Sequence, residues 1–300
     1  MIDFQPLTLE QKPRFDSILR NTGTRGCEYS FANLYMWGRQ RAAFMDDTLV
    51  FFSQFNRTSV YPFPIGNNIE QALEAIIHDA AVRDIPCRIT SLSQDDCATL
   101  ERLYPGKFRF HYDRDFFDYV YAIEDLAELK GKKYQRKRNH LNRFIQDHPY
   151  YRVEPISDEN QAEVLEVVQA WYDKRQAEDP TSDTHMERAA LKKALQHRQA
   201  LEMEGLLLWD QEQPIAMTLG NFLSDTTFDV NFEKAIDPSA YPAINWEFAR
   251  YLRKKYPDLQ YLDREEDMGL EGLRKAKLSY YPHHMVEKSW ACLLEDGYDY

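Results

Sequence analysis

Three strand-like runs stand in succession in the second half of the chain: 205–209 (GLLLW), 214–222 (PIAMTLGNF) and 226–235 (TTFDVNFEKA). Gln211-Glu212-Gln213 and Ser224-Asp225 make short turns between them. Connections this short leave no room for a crossover helix, so the runs read as an antiparallel meander. The meander constrains everything around it. Upstream, 150–156 (YYRVEPI) reads as a strand, and Ser157 as the N-cap of a helix over about 158–177. Val164, Leu165, Val167, Val168 and Trp171 give that helix an apolar face, and Pro180 ends it before a second helix over about 184–202. Downstream come a helix over about 241–255 (Ile244, Phe248, Tyr251 and Leu252 on one face), a strand at 259–263, a helix at 270–279 and a last strand at 284–294.

The resulting order, β-α-α-β-β-β-α-β-α-β, is that of the GNAT (acyl-CoA N-acyltransferase) fold. The first half approaches it, with helices at about 8–20 and 29–37, strands near 48–55 and 58–63, helix 69–83, strand 86–91, helix 94–104, and strands near 107–112 and 116–122. The expected class is α/β (α+β): two tandem GNAT-like domains with mixed, mostly antiparallel sheets flanked by helices. The sharpest composition change is 130–143, KGKKYQRKRNHLNR, with seven Lys/Arg and no acidic residue. It sets the expected boundary, giving domains 1–145 and 146–300. In a GNAT domain the use of the fold is a gap where two strands part. Unpaired backbone there can hold a pantetheine-like or peptide-like arm, and the next helix start faces a pyrophosphate.

Composition narrows the function. The net charge is −12, so any contact with nucleic acid or anionic lipid must use a local basic patch. The longest uncharged runs, 58–69 and 213–224, are twelve residues each, short of the roughly 20 needed for a membrane span. No secretory signal opens the chain, and Cys27, Cys87, Cys97 and Cys292 lack zinc-ligand spacing. They read as free thiols of a cytoplasmic protein, with the Asn56-Arg57-Thr58 sequon idle. His283-His284 has no flanking carboxylate pair, so no metal is expected. Nucleophilic triads, P-loops and dinucleotide motifs are likewise unsupported.

Several stretches resemble the bacterial family grouped with the C-terminal domain of lysylphosphatidylglycerol synthase. They are Glu28-Tyr29-Ser30-Phe31-Ala32-Asn33-Leu34, YVYAIEDLAELKGKKYQRKRNHLNRF (119–144), Tyr241-Pro242-Ala243-Ile244-Asn245 and DREEDMGLEGLRKAKLSYYP (263–282). The resemblance implies tandem GNAT-like domains akin to Fem-type peptidoglycan aminoacyltransferases, which move an amino acid from aminoacyl-tRNA to an amine or lipid hydroxyl. It implies the reaction only by analogy.

Four constellations could carry chemistry. Lys132/Arg136, Lys133/Lys137 and Tyr134/Arg138 are i,i+4 neighbours, and His140, Asn142 and Arg143 continue the run. This ridge could grip phosphates of tRNA, coenzyme or a lipid headgroup, or simply pair with the acidic bulk as an inter-domain helix. The start of the 241–255 helix, with Ser239, Tyr241 and Asn245, lacks the glycines of a coenzyme-cradling loop, and Pro242 removes a donor. It reads better as an ordinary helix start than as a pyrophosphate site. Asp263, Arg264, Glu265, Glu266 and Asp267 follow a strand directly, where α/β ligands commonly bind, with Arg274 and Lys277 on the next helix. The same charges could merely complement a helix dipole. Tyr280 falls where many GNAT enzymes place a tyrosine general acid. Finally, Asp229, Asn231 and Glu233 alternate on one face of 226–235, and Glu233 is the candidate general base. The first reading is an acyl- or aminoacyltransferase. It would use an acyl-CoA or aminoacyl-tRNA donor and a small-molecule, peptide or lipid-headgroup acceptor. A GNAT-fold ligand-binding module and an RNA-binding protein acting through the basic helix are the alternatives.

Overall fold

The computed structural model describes residues 1–19, 25–55, 58–180 and 184–294. Arg20 of the first expected helix, and Asn56 and Arg57 of the sequon, lie outside the described residues. The chain forms two compact units, one of Met1–Asp118, Glu266–Leu270 and Val286–Tyr300, the other of Tyr119–Glu265 and Glu271–Met285. The division thus falls at Asp118/Tyr119 rather than near residue 145, and the basic helix belongs to the second unit.

The first unit holds β1 (Gln5–Pro6), β2 (Gln40–Met45), β3 (Thr48–Phe55), β4 (Thr58–Pro62), β5 (Ile65–Gly66), β6 (Arg88–Leu92) and β7 (Phe108–Tyr112), with α1 (Lys12–Leu19), α2 (Phe31–Trp37), α3 (Ile69–Arg83) and α4 (Gln94–Leu103). Ser30 caps α2 by accepting from the Asn33 amide. The core sets Leu73, Ile76 and Leu100 of the helices against Val50, Tyr61 and Ile89 of the sheet. Strand β2 (QRAAFM) escapes the sequence reading because its charged residue and two alanines carry little strand preference.

The second unit holds β8 (Asp118–Ala122, shared at its first residue), β9 (Tyr151–Pro155), β10 (Glu204–Asp210), β11 (Gln213–Phe222), β12 (Thr227–Ala235), β13 (Tyr261–Asp263) and β14 (His284–Val286). Its helices are α5 (Ile123–Glu128), α6 (Gln135–Asp147), α7 (Gln161–Glu178), α8 (His185–Gln196), α9 (Tyr241–Lys255) and α10 (Glu271–Leu278). The sheet order is β14-β8-β13-β12-β11-β10-β9. The meander is present, with β10, β11 and β12 paired antiparallel in sequence order. Leu141 and Phe144 of α6 and Ile244, Phe248 and Leu252 of α9 bury against Leu206, Leu208 and Phe228 of the sheet. Helix α7 starts after Asn160, whose side chain accepts from the Ser157 amide, so Ser157 is not its cap.

Two details of this sheet position the candidate site. Strands β12 and β13 run parallel but pair only through Thr227↔Tyr261, Phe228↔Leu262 and Asp229↔Asp263. Beyond Asp229, β12 continues to Ala235 while β13 has ended, so its edge opens there. On its other side, β12 pairs with β11 through a register shift between Leu219↔Phe232 and Asn221↔Asp229. Gly220 sits at that shift, where a Cβ would stand 1.9 Å from the Asp229 carbonyl oxygen. An extra residue in one strand interrupts the two-residue period. The single polar face read across Asp229, Asn231 and Glu233 is therefore broken. Phe228, Val230 and Ala235 share one core, which strict alternation would forbid.

The expected last strand, 284–294, divides in two. Its first part is β14; its second, β15 (Ser289–Leu293), lies between β6 and β7 in the first unit's sheet. Lys288, between them, explains the break. Its ammonium is buried in the first unit, 2.8 Å from Asp118 and 2.7 Å from Glu28. Burial alone would lower its pKa, but the surrounding Asp118, Cys27 and Glu28 raise it well above the ordinary value. Burial pushes the Asp118 carboxyl up to about 6 against the pull of Lys288. Removing one partner of such a group strands the other charges. Lys288→Met is expected to lower unfolding free energy by about 3–5 kcal/mol in urea denaturation at neutral pH, and an unchanged midpoint would refute this role.

Candidate active site

Arg264 directly follows Asp263, the last residue of β13, and turns its guanidinium toward β12, where it donates to Glu233 Oε1 at 3.0 Å. With the Asn245 amide oriented oxygen-inward, that oxygen accepts from both guanidinium nitrogens at 2.6 and 2.9 Å. The backbone route of Arg264 is fixed by its N–H donating to the Tyr119 carbonyl at 3.0 Å. Glu265 follows at φ 57°, a left-handed turn that a non-glycine residue adopts only under constraint. Lys277, 8% exposed, donates to the carbonyls of Arg264 and Glu265 and holds that turn. Burial would lower the Arg264 pKa, but Glu233 and the neighbouring tyrosines raise it, so the guanidinium stays charged.

Tyr280 closes the group. Its ring centroid lies 5.6 Å from the Arg264 guanidinium carbon and 3.6 Å from Lys137 Nζ. Burial pushes the phenol up to about 12 against the pull of Arg264, so at neutral pH it carries its proton. Burial, then repulsion from Arg264 and Arg136, brings the Lys137 ammonium down to about 8. Among the described residues, Glu233 Oε2 and the Tyr280 hydroxyl have no hydrogen-bond partner, and Lys137 has no ion pair. An acceptor, a donor and a cation are thus left without partners around Arg264, among the described residues.

The structure therefore brings together five of the residues marked in the sequence: Glu233, Tyr280, Arg264, Asn245 and Lys137. The others part from them. The run 263–267 is divided: Glu266 lies in the first unit near Cys27, and Asp267 pairs there with Arg114 at 3.0 Å. Asp263 is wholly buried and accepts from the Glu265 amide, while Asn231 reaches both Asp229 and Glu265. Lys277 is a structural tie, and Arg274 is half-buried on α10. Ser239 does not cap α9. Asp237 takes that place at the preceding 3-10 turn, accepting from the Ser239 amide at 2.8 Å. Tyr241 accepts from the Trp171 indole at 2.9 Å. Along the basic helix, Arg138 is spent on the Leu129 and Gly131 carbonyls and Lys133 pairs with Asp125 at 3.1 Å. Lys132, Arg136, His140, Asn142 and Arg143 are exposed, and Arg143 lies 3.6 Å from Asp147.

The first unit keeps its corresponding strands closed. Parallel β4 and β6 pair at Tyr61↔Ile89 and Pro62↔Thr90, and Phe63 donates to Thr90 O at 3.0 Å. The buried Tyr29 hydroxyl then donates to Phe63 O at 3.1 Å and lies 3.5 Å from Ser91 O, one carbonyl just past β4 and one in β6. Tyr29, Phe31, Leu34 and Tyr35 are core residues of this unit. Sequence reasoning missed a cluster here. Cys27, Asp118 and Glu266 bring ligand-type atoms within 4.8 Å of one another. They could hold a metal ion, yet the Lys288 ammonium already lies 2.8 Å from Asp118 and 3.7 Å from the thiol, as their counter-cation. Members this far apart in the chain leave no local spacing to detect.

The hydrogen bonding separates two tyrosines. Tyr134 donates to the Tyr280 carbonyl at 3.0 Å and to Asp125 at 3.2 Å. Tyr134→Phe is expected to cost about 1–2 kcal/mol and Tyr280→Phe under about 0.5 kcal/mol in thermal unfolding. Equal losses would show that the Tyr280 hydroxyl serves stability.

Comparison with known proteins agrees with this architecture. No curated protein matches the chain. Among solved structures, a conserved protein of unknown function from Bacteroides thetaiotaomicron is 38% identical, with a TM-score of 0.91 over 98% of this chain and 100% of that one. L-PGS from Bacillus licheniformis is 14% identical, with a TM-score of 0.69 over 96% of this chain and 93% of that one. FemX is 11% identical, with a TM-score of 0.60 over 98% of each. The two distant likenesses carry the fold alone, and the fold is the tandem GNAT-like one that the element order implied. Residues 19–292 match the family described as phosphatidylglycerol lysyltransferase, C-terminal, and the chain belongs to that family.

Proposed function

We propose that the chain transfers an acyl or aminoacyl group to an amine or hydroxyl acceptor, by direct attack beside the open edge of β12 in the second unit. The observation that carries this reading is the group left open around Arg264: Glu233 Oε2 as acceptor and the Tyr280 phenol as donor. Glu233 takes the proton from the attacking nitrogen or oxygen as it bonds to the acyl carbon. Charge gathers on the carbonyl oxygen within the field of Arg264. The bond to the leaving oxygen or sulfur then breaks, and Tyr280 gives that atom its proton. Solvent returns a proton to Tyr280 and removes one from Glu233. Holding donor and acceptor together supplies much of the rate gain.

The donor class is an aminoacyl-tRNA or an acyl-CoA. The start of α9 lacks a glycine loop and already has the Asp237 carboxylate on its preceding turn, which weighs against a coenzyme pyrophosphate there. The exposed stripe of Lys132, Arg136 and Arg143 is the candidate grip for a tRNA donor's phosphates, and acceptors include small molecules, peptides and lipid headgroups. Among the described residues no helix is long and apolar enough to cross a membrane. We place the reaction in the cytoplasm, where both donor types occur. Calorimetric titration with acetyl-CoA separates the donors: saturable micromolar binding favours the coenzyme, and no heat at millimolar ligand directs the assay to charged tRNA. With the donor identified, Glu233→Gln and Tyr280→Phe are each expected to lower kcat by roughly 10²–10⁴-fold. Full turnover in Glu233→Gln would refute its role as base. Saturable binding by the wild type with no turnover of any donor would replace transfer with ligand sensing.

A further inference from the structure

The Lys137 ammonium is the least expected charge in the second unit. It is half-buried and faces the Tyr280 ring at 3.6 Å, and among the described residues it spends none of its N–H donors on an acceptor. Its neighbours on the same stretch behave differently: Lys133 and Arg143 lie near carboxylates and Arg138 is spent on carbonyls. Carboxylates are plentiful in a chain of net charge −12, yet none pairs with Lys137. The charges acting on Lys137 and on the Tyr280 ring it faces are Arg264, Arg136 and Glu233, and Glu233 already serves Arg264. The locality thus holds a surplus of positive charge in a strongly acidic protein. Half-burying an ammonium without a counter-ion costs free energy. Its retention beside an open phenol is the arrangement an anion would complete.

We propose that Lys137 and Arg264 form a subsite for an anionic group, a phosphate or a carboxylate, carried by the molecule that reacts at Glu233 and Tyr280. The inference rests on the transferase reading only for which molecule bears the anion. The subsite itself is a binding property and can be measured without turnover. Lys137 supplies up to three N–H donors and Arg264 a fixed positive field behind them. The anion completes its salt bridge at the Tyr280 ring, placing the rest of the ligand beside the phenol hydroxyl.

The experiment is calorimetric titration of the full chain at low ionic strength with two probes, pyrophosphate and glutarate. At pH 7 the wild type is expected to bind at least one of them saturably. Lys137→Gln is expected to weaken that binding at least about tenfold, and Lys137→Arg to keep it within a few-fold. Lys275→Gln, an exposed cation paired with Glu271, is the control and is expected to change nothing. Preference for pyrophosphate identifies a phosphate-bearing ligand, and preference for glutarate a carboxylate-bearing one.

Two further readouts separate binding from scaffold. The folded-state pKa of Lys137, about 8, lies below its unfolded value, so protonation is penalised in the fold below pH 8 and the penalty fades as pH rises past it. Lys137→Gln is therefore expected to melt no lower than the wild type at pH 7. Affinity in the wild type is expected to fall as pH rises above about 8, where the ammonium discharges. Equal affinity in the wild type and Lys137→Gln, or an equal loss in Lys275→Gln, overturns the subsite. Full activity of Glu233→Gln with intact anion binding would instead sink only the catalytic assignment.

Discussion

A guanidinium enclosed by protein must be given charge and hydrogen bonds, and in the second unit that demand organises the site. Arg264 draws Glu233 from β12 and Asn245 from α9, joining a strand, a helix and the turn after β13 in one network. The turn is held by Lys277, whose ammonium satisfies two consecutive carbonyls. Such a network costs desolvation, and its worth lies less in net stability than in fixing which side chains face one another. Among the described residues it leaves one oxygen of Glu233 and the hydroxyl of Tyr280 without a hydrogen-bond partner, each beside the Arg264 guanidinium.

The two units show what becomes of the same strand arrangement under different side chains. In the second, β12 outruns its parallel partner after Asp229, and among the described residues no strand pairs with that edge beyond it. In the first, pairing continues past Pro62, and the Tyr29 hydroxyl reaches the carbonyls where the strands would separate. A single buried phenol thus bridges the two strands of the first unit at the place where β12 of the second outruns its partner. In the first unit Lys288 pairs with Asp118 and Glu28, a cluster that gathers segments distant in sequence.

Much of this was legible in the residues. Short turns forced the meander, and the spacing of Ile244, Phe248 and Leu252 set the buried face of α9. Glu233, Tyr280, Arg264, Asn245 and Lys137 were all marked from sequence. What could not be read was which marked residues would meet. Arg138 and Lys137 are adjacent on one helix, yet one is consumed by carbonyls and the other faces a phenol. Glu265 and Glu266 are adjacent in an acidic run, yet they belong to different compact units.

Sequence alone determined the meander of the second unit and the helices around it, because turn length and apolar period act over a few residues. It also determined the chemical stock of the site. Tertiary structure decided the rest: the unit boundary at Asp118/Tyr119, the splitting of the last strand at Lys288, the broken face of β12 at Gly220, and the company kept by each charge. Those outcomes depend on desolvation and pairing between groups tens to hundreds of residues apart. Such energies are defined only once the chain has brought them within a few ångströms.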